Sequence, residues 1–312
     1  MQVDVGNFYD LYLPVAEINI NGIALIGIGA VVGIIAGMCG MGGGITLLPI
    51  LIFLDIPVNI AVATTLNQVL ATSFSASLIY ARKNLIDYKL SLFLMIGGFL
   101  GIVVGVIFYH WCSNNGKLDL FISIGFLITL VSIGTFNAKE VAIILYYKYK
   151  KISIPQKTLP NWVKKTSFFQ IKFPSAKHKL SGMLPLSLGC LSGAMIYFMG
   201  LGGSLIMTPV LLYIFGISSC YVVGTINFQV VFITLVSYYI HAIDSQGIDL
   251  ILAIPLLIGT VFGAQIGAKI GSQLSQETFK IMIATVTLLL CAKIGFELFV
   301  QPRNIYEIEI LR

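Results

Sequence analysis

The chain has 312 residues, of which 57% are hydrophobic and 10% are charged, with a mean hydropathy of +0.95 and a formal net charge of +6 at pH 7. Soluble domains carry about a quarter charged residues, so this composition excludes an ordinary water-soluble domain. Because the alternating pattern of a membrane barrel is also absent, we predict an all-α polytopic membrane protein.

The N-terminal lead-in, residues 1–19, carries three acidic residues and no basic residue. A secretory signal peptide needs a positively charged start and a cleavage site. We therefore expect this lead-in to be an exposed or interfacial segment.

A glycine-rich interruption, GMCGMGGGITLLP at 37–49, comes next. Glycine and proline both disfavour a continuous helix. The apolar segments on its two sides, 22–36 and 45–54, are each short for a full membrane span. We predict a V-shaped or re-entrant helix pair here, and again at 183–199 and 205–216. One kinked helix in each half is the alternative.

Six longer apolar stretches have roughly the 20 residues that cross a hydrocarbon core of about 30 Å. They predict three spanning helices in each half of the chain, at 58–80, 90–111, 118–138, 219–241, 250–268 and 278–300. Glycines recur every four residues within 97–105 and 259–271, which predicts one tightly packed helix face in each segment.

A basic linker separates the halves. Residues 148–179 contain nine lysines and no acidic residue. The positive-inside bias places such a segment in the cytoplasm. It accounts for most of the net charge, so that charge does not indicate a nucleic-acid partner.

The two halves match at an offset of 160 residues, which becomes 162 after an insertion. Examples are Gly40 with Gly200, Pro49 with Pro209, and Gly97 with Gly259. The loop at 81–89 has three basic residues, whereas its counterpart at 241–249 has no lysine or arginine. Equivalent loops therefore fall on opposite faces, which predicts inverted-topology repeats with the N-terminus outside.

This repeat divides the chain into five parts. We predict a lead-in (1–19), a first transmembrane repeat (20–147), a basic cytoplasmic linker (148–180), a second transmembrane repeat (181–301) and a C-terminal tail (302–312).

The two glycine breaks are the candidate substrate site. Each precedes a short helix whose N-terminal amides and dipole can hold an anion without a basic side chain. The long span that follows each short helix, 58–80 or 219–241, is the most polar of its half and offers uncharged donors. The candidate substrate-binding residues are Gly42, Gly43, Gly44, Thr65, Asn67, Gly202, Gly203, Ser204, Thr225 and Asn227. Tight helix packing and interhelical hydrogen bonding are the alternative interpretation.

Motifs for other chemistry are absent from the sequence. It holds no HExxH and no paired mid-span carboxylates, so we predict no enzyme, no catalytic residue, no metal and no cofactor. No mid-span carboxylate indicates a proton relay, which leaves the coupling ion, a proton or sodium, open.

These motifs resemble those of a known family. The twin GxGG(G/S)xxxxP stretches, the TxN after each, the glycine spacing and the basic central loop are similar to the sulfite exporter TauE/SafE family of membrane permeases. The resemblance covers about residues 20–300. It implies a transporter of small sulfur-containing or carboxylated anions in a bacterial-type cytoplasmic (inner) membrane. Ser204 replaces the third glycine of the second motif, which makes the two half-sites unequal.

We therefore expect a secondary transporter that exports a small anion such as sulfite, an organosulfonate or a sulfur-containing carboxylate. It would work by alternating access, with membrane lipids around it. A channel-like or receptor scaffold without alternating access is the alternative. The sequence does not determine the anion, the direction of transport or the oligomeric state.

Overall fold

The structure is a computed structural model. It describes residues 10–13, 18–40, 42–54, 56–116, 170–172, 174–175, 179–244 and 250–275, with single residues or short pieces between 118 and 150 and between 277 and 289. Most of the basic linker, the C-terminal tail, most of the predicted span 278–300 and part of the predicted span 118–138 lie outside the described residues.

Helices make up most of the described chain, as predicted. Those with complete bounds are α1 (Gly22–Cys39), α2 (Gly44–Phe53), α3 (Val58–Arg82), α4 (Tyr88–Asn114), α5 (Met183–Met199), α6 (Ser204–Pro209), α7 (Ser219–Asp244) and α8 (Leu250–Gly271). Pieces of helix also lie between 118 and 143 and between 277 and 289. The predicted spans 58–80, 90–111, 219–241 and 250–268 coincide with α3, α4, α7 and α8.

A short antiparallel strand pair precedes α1, and another precedes α5. β1 (Asp10–Leu13) pairs with β2 (Ile18–Asn21), and β3 (Gln170–Lys172) pairs with β4 (Lys179–Ser181). Hydropathy alone did not predict these strands. Their positions differ by the same 160-residue offset, so the likeness of the two halves extends in front of each first helix.

Helix length and surface composition fit a multi-pass membrane protein. Among the described residues, four helices, α1, α4, α7 and α8, are long and apolar enough to cross a membrane. Large apolar side chains point outward from α4 and α8, where Ile107 and Phe262 are each 66% exposed. Small residues facing other helices and large apolar residues facing outward are typical of helices packed in lipid.

Helix α1 is longer than its sequence indicates. We expected an apolar segment ending at residue 36, but the helix has 18 residues and continues to Cys39. Gly37 is tolerated inside it because α8 packs directly against that position, where a Cβ would clash with the Ala264 carbonyl oxygen.

Glycines allow the backbones of α1 and α8 to touch, and likewise those of α4 and α5. A Cβ on Gly29 would lie 2.6 Å from the Leu256 carbonyl oxygen. On α4, a Cβ on Gly101 would overlap the Cys190 carbonyl oxygen. The tight packing predicted from the four-residue glycine spacing is confirmed.

The same glycine contacts occur at equivalent positions of the two halves. Gly29 meets Leu256 as Gly189 meets Leu94, and the offsets are 160 and 162 residues. The first helix of each half therefore packs on the α4 or α8 helix of the other half, and each half lacks a packed face without its partner.

The directions of the helices follow from the order of their contacts. Along α1, Gly29 and Gly37 meet Leu256 and Ala264 in ascending order, so α1 and α8 run parallel. Along α4, Gly97 and Gly105 meet Leu186 and Ala194 in the same way. The polar helices α3 and α7 pack on each other between these pairs.

The start of α7 lies beside the end of α3. A Cβ on Gly224 would lie 3.1 Å from Tyr80 Cβ, and it would overlap the Leu85 carbonyl oxygen in the turn that follows α3. These contacts place α3 and α7 in opposite directions.

Candidate functional site

The two glycine breaks contact each other at the centre of the bundle. A Cβ on Gly42 would lie 3.3 Å from Gly202 Cα, and a Cβ on Gly44 would overlap the Gly200 carbonyl oxygen. Segments 160 residues apart in the chain thus form one structural element. Any side chain at Gly44 would push the two breaks apart.

Left-handed backbone conformations explain why glycines occupy these positions. The φ angles are +68° at Gly40, +67° at Gly42 and +75° at Gly43, and +65° at Gly200 and +58° at Gly203. Residues with a side chain rarely adopt this backbone region, whereas glycine does so readily. The break is therefore a turn rather than a kink.

The chain folds back on itself at each break. Gly43 lies against Val32 and Ala36 of α1, where a Cβ would be 3.3 Å from each side chain. Gly203 lies against Ser192 and Ile196 of α5 in the same manner. Each short helix therefore starts beside the last two turns of the helix before it, the geometry of a V-shaped pair.

Helices α2 and α6 begin at the breaks, but their first turns differ. Leu47 N donates to the Gly43 carbonyl at 3.0 Å, so the amides of Gly44 and Ile45 precede the first helical bond. In the second half, Gly203 N and Ser204 N donate to the carbonyls two residues earlier. A π-helical turn, Val210–Ile214, continues α6 after Pro209, which has no N–H to donate.

Two buried hydroxyls distinguish the second break. Ser204 is 0% exposed and Thr208 is 1% exposed, and neither hydroxyl has a hydrogen-bond partner among the described residues. Their equivalents in α2 are Gly44 and Leu48, which have no polar side chain. A buried unpaired hydroxyl is costly, so these two are the side chains best placed to hold a ligand. The candidate set predicted from the sequence included Ser204 but not Thr208. The one sequence feature that could have indicated Thr208 is its position directly before Pro209.

The predicted residues Thr65 and Asn67 lie on α3 at the breaks. The Thr65 side chain is 3.1 Å from a Cβ placed on Gly44 and 3.5 Å from one placed on Gly200. Its hydroxyl donates to the Ala61 carbonyl at 2.6 Å, which leaves only its lone pairs for other partners. Asn67 is half-buried.

The equivalent residues of α7 have different partners. Thr225 Oγ1 accepts a hydrogen bond from the Asp87 amide at 3.0 Å, at the start of α4. Asn227 Nδ2 donates to the Val223 carbonyl at 2.9 Å and has a second N–H. The two TxN motifs are thus not equivalent in their contacts.

Two buried glutamines also differ. Gln68 donates to the Leu256 carbonyl at 3.1 Å. Gln229 is 0% exposed, and both its amide nitrogen and its amide oxygen lack partners among the described residues. It lies beside Gly98, with Nε2 3.5 Å from a Cβ placed there.

No basic side chain among the described residues is buried at this centre, apart from the imidazole of His241 farther along α7. Apart from Tyr and Cys, the buried ionisable residues of the described chain are Asp87 and His241. In the same residues, no group of three or more His, Cys, Asp or Glu is placed to hold a metal ion. A ligand at the breaks would meet amides, hydroxyls and carboxamides instead of full positive charges.

Asp87 is a structural residue at the start of α4. It is 3% exposed, and its Oδ1 accepts from Leu90 N at 3.1 Å, which caps α4. Its Oδ2 accepts from Ser175 N at 3.0 Å and from Ser175 Oγ at 2.6 Å. The carboxylate therefore ties the segment before α5 to the start of α4.

Comparisons with known proteins agree with this architecture. The family model for the sulfite exporter TauE/SafE matches residues 25–294. The chain is 22% identical over 283 residues to the probable membrane transporter protein YunE of Bacillus subtilis (strain 168), covering 88% of this chain and 97% of that one. It is 24% identical over 270 residues to the probable membrane transporter protein YjnA of the same strain, covering 85% and 96%. No solved structure matches the chain significantly.

Proposed function

Because the chain belongs to the sulfite exporter TauE/SafE family, a family of membrane transporters, we propose that it exports a small anion by secondary transport. The anion would be sulfite, an organosulfonate or a sulfur-containing carboxylate. The family name and the uncharged donors at the breaks support this class of substrate.

The observation that carries the proposal is the direct contact between the two glycine breaks. A solute held there touches both halves at once, which alternating access around one site requires. The first-turn amides of α2, the Ser204 hydroxyl and the second N–H of Asn227 are hydrogen-bond donors. Donors without a full positive charge bind an anion yet allow its release.

The binding set in this proposal is the one expected from the sequence, at Gly42, Gly43, Gly44, Thr65, Asn67, Gly202, Gly203, Ser204, Thr225 and Asn227. Thr208 joins it because its buried hydroxyl lacks a partner in the described part of the chain. Gly42 and Gly202 provide the close approach of the two halves.

Inverted halves are part of the proposal, and the helix directions support them. Equivalent helices α3 and α7 run in opposite directions, so the operation that exchanges the halves also reverses them. If α3 and α7 cross the membrane, a two-fold axis perpendicular to them lies in the plane of the membrane. The proposal also keeps the orientation that the basic linker predicts, with the linker in the cytoplasm and the N-terminus outside, and the inner membrane that the family resemblance implies.

The test is flux through liposomes containing the purified full-length protein. We expect saturable uptake of sulfite or isethionate, stimulated by the same anion on the opposite side, and weaker uptake of acetate. Counterflow requires a site that opens alternately to the two sides. Flux without saturation and without counterflow would favour the channel-like alternative, and no flux of any anion would favour a receptor scaffold.

A further inference from the structure

His241 is the one buried imidazole in the described residues and is 1% exposed. Its Nε2 lies 2.8 Å from the Tyr197 carbonyl oxygen. A carbonyl can only accept, so Nε2 carries the proton of the neutral ring and a second proton binds at Nδ1.

The bond to Tyr197 connects His241 to the second glycine break. Tyr197 lies in the last turn of α5, and its carbonyl is one of the four that a helix end leaves without a helical partner. Gly200 follows one turn later. A protonated histidine is also favoured at a helix C-terminus by the helix dipole. The charge on His241 therefore acts on the helix end from which the break starts.

Titratable side chains from three helices surround the ring. The Tyr197 ring stacks on it with centroids 4.4 Å apart, and the Tyr109 ring of α4 meets it edge-on at 5.0 Å. The Tyr197 hydroxyl donates to Asp244 Oδ2 at 3.2 Å. That carboxylate also lies 3.4 Å from Nε2 of His110 on α4, and the two side chains are 29% and 50% exposed.

Among the described side chains, helices α3 and α6 add no ionisable group at this end of α7. Helix α3 places Tyr80 beside Gly224, at the opposite end of α7, and α6 contains no ionisable residue. Asp244 thus gives the buried imidazole a negatively charged neighbour with access to water.

The cluster belongs to one half only. At the 160-residue offset, Gly37 stands in place of Tyr197, Ala81 in place of His241 and Asn84 in place of Asp244. The glycine contacts that hold the helices together occur in both halves. Residues confined to one half therefore serve something other than the shared packing.

We propose that His241, bonded to the Tyr197 carbonyl and three residues before Asp244 on α7, binds the proton whose movement drives the transport of the anion. This inference rests on the proposed function and assigns its coupling ion. Protonation places a positive charge against the Tyr197 carbonyl at the end of α5, which strengthens the link between α5 and α7. Loss of the proton weakens that link and frees the second break to change its conformation.

The test uses the full-length protein in liposomes, with sulfite and isethionate as probes, since the charge of isethionate does not change near neutral pH. The key variant is His241→Gln, which keeps an N–H for the Tyr197 carbonyl but binds no proton. We expect exchange at equal pH to persist and accumulation driven by a proton gradient to fall about ten-fold or more. His110→Gln removes an exposed imidazole beside the same carboxylate and is the matched control, with accumulation retained.

Three results would overturn the proposal: undiminished gradient-driven accumulation in His241→Gln, equal loss of exchange and accumulation, or accumulation driven by a sodium gradient alone. If the wild-type protein exchanges neither anion, the proposed function fails. Proton binding is then decided separately by nuclear magnetic resonance of the three histidines. The His241 signal must titrate, and Asp244→Asn must shift that titration; a His241 signal independent of pH refutes the site.

Discussion

Ser175 Oγ donates a hydrogen bond of 2.6 Å to Asp87 Oδ2, although the two residues are 88 positions apart. Through this bond the segment between the halves is attached to the start of α4. The Asp87 amide in turn donates to Thr225 on α7, so one residue joins three parts of the fold.

Replacing Asp87 should therefore destabilise the protein. Asp87→Ala removes the acceptor of the Leu90 and Ser175 amides, and we expect a loss of about 3 kcal/mol, seen as a lower thermal unfolding midpoint in detergent. Ser175→Ala should cost only about 1 kcal/mol because the Ser175 amide can still donate to Asp87. Equal midpoints for Asp87→Ala and the wild type would contradict this role.

Close contact between α4 and α5 predicts the effect of a single methyl group. At Gly101, the new Cβ of an alanine would overlap the Cys190 carbonyl oxygen, so Gly101→Ala should cost about 1–3 kcal/mol through overpacking. The control is Gly27→Ala on α1, where nothing in the described chain lies within 4 Å of the added Cβ. That change should leave the unfolding midpoint equal or slightly higher, since alanine favours the helix. A similar loss at both positions would argue against the contact.

The glycine break should tolerate no large side chain. Gly43→Leu inserts bulk against Val32, Ala36 and Thr72 at a φ of +75°, and we expect it to abolish anion flux while the protein still reaches the membrane. Gly116→Leu is the control, because φ is +62° there and no atom of the described residues lies within 4 Å. Both variants carry the same backbone strain, about 1–2 kcal/mol. Flux retained in Gly43→Leu, measured per inserted molecule, would remove the proposed site.

Replacing Ser204 distinguishes a ligand-binding role of its hydroxyl from a packing role. No described residue bonds to it, so Ser204→Ala should leave the unfolding midpoint unchanged or raise it. We nevertheless expect KM for the transported anion to rise about ten-fold, the effect of losing one hydrogen bond to a charged ligand. Ser237→Ala removes another fully buried hydroxyl without a described partner, ten residues beyond Asn227 on α7, and should leave KM unchanged. An unaltered KM in Ser204→Ala would exclude the hydroxyl from the site.

Local sequence patterns predicted much of the fold. Helices α3, α4, α7 and α8 follow from stretches of about 20 apolar residues, and the breaks at Gly40 and Gly200 follow from glycines that recur at a fixed offset. Both signals lie within one short segment, so they can be read without knowing what the segment packs against. The extension of α1 to Cys39 was missed because its glycines look like helix breakers until α8 is placed beside them.

The candidate site was predicted only as a set of segments. The sequence indicated two breaks and two TxN helices, and the structure brings Gly42 to Gly202 and Thr65 to both breaks. It also shows that Thr225 of this set is bonded to Asp87, and it adds Thr208, which the sequence did not predict and whose hydroxyl has no described partner. Partners of hydroxyls and carboxylates depend on residues distant in the chain, which hydropathy does not encode.

The sequence by itself determined that this protein lies in a membrane, that it has two related halves and where its helices break. These properties follow from composition and from spacing along the chain. Only the tertiary structure decided that the first helix of each half packs on the other half, that the breaks touch and that His241 reaches Tyr197. Such contacts arise when small residues let two distant parts of the backbone come close together. Whether they do so depends on both helix faces, so the sequence of one segment does not determine it.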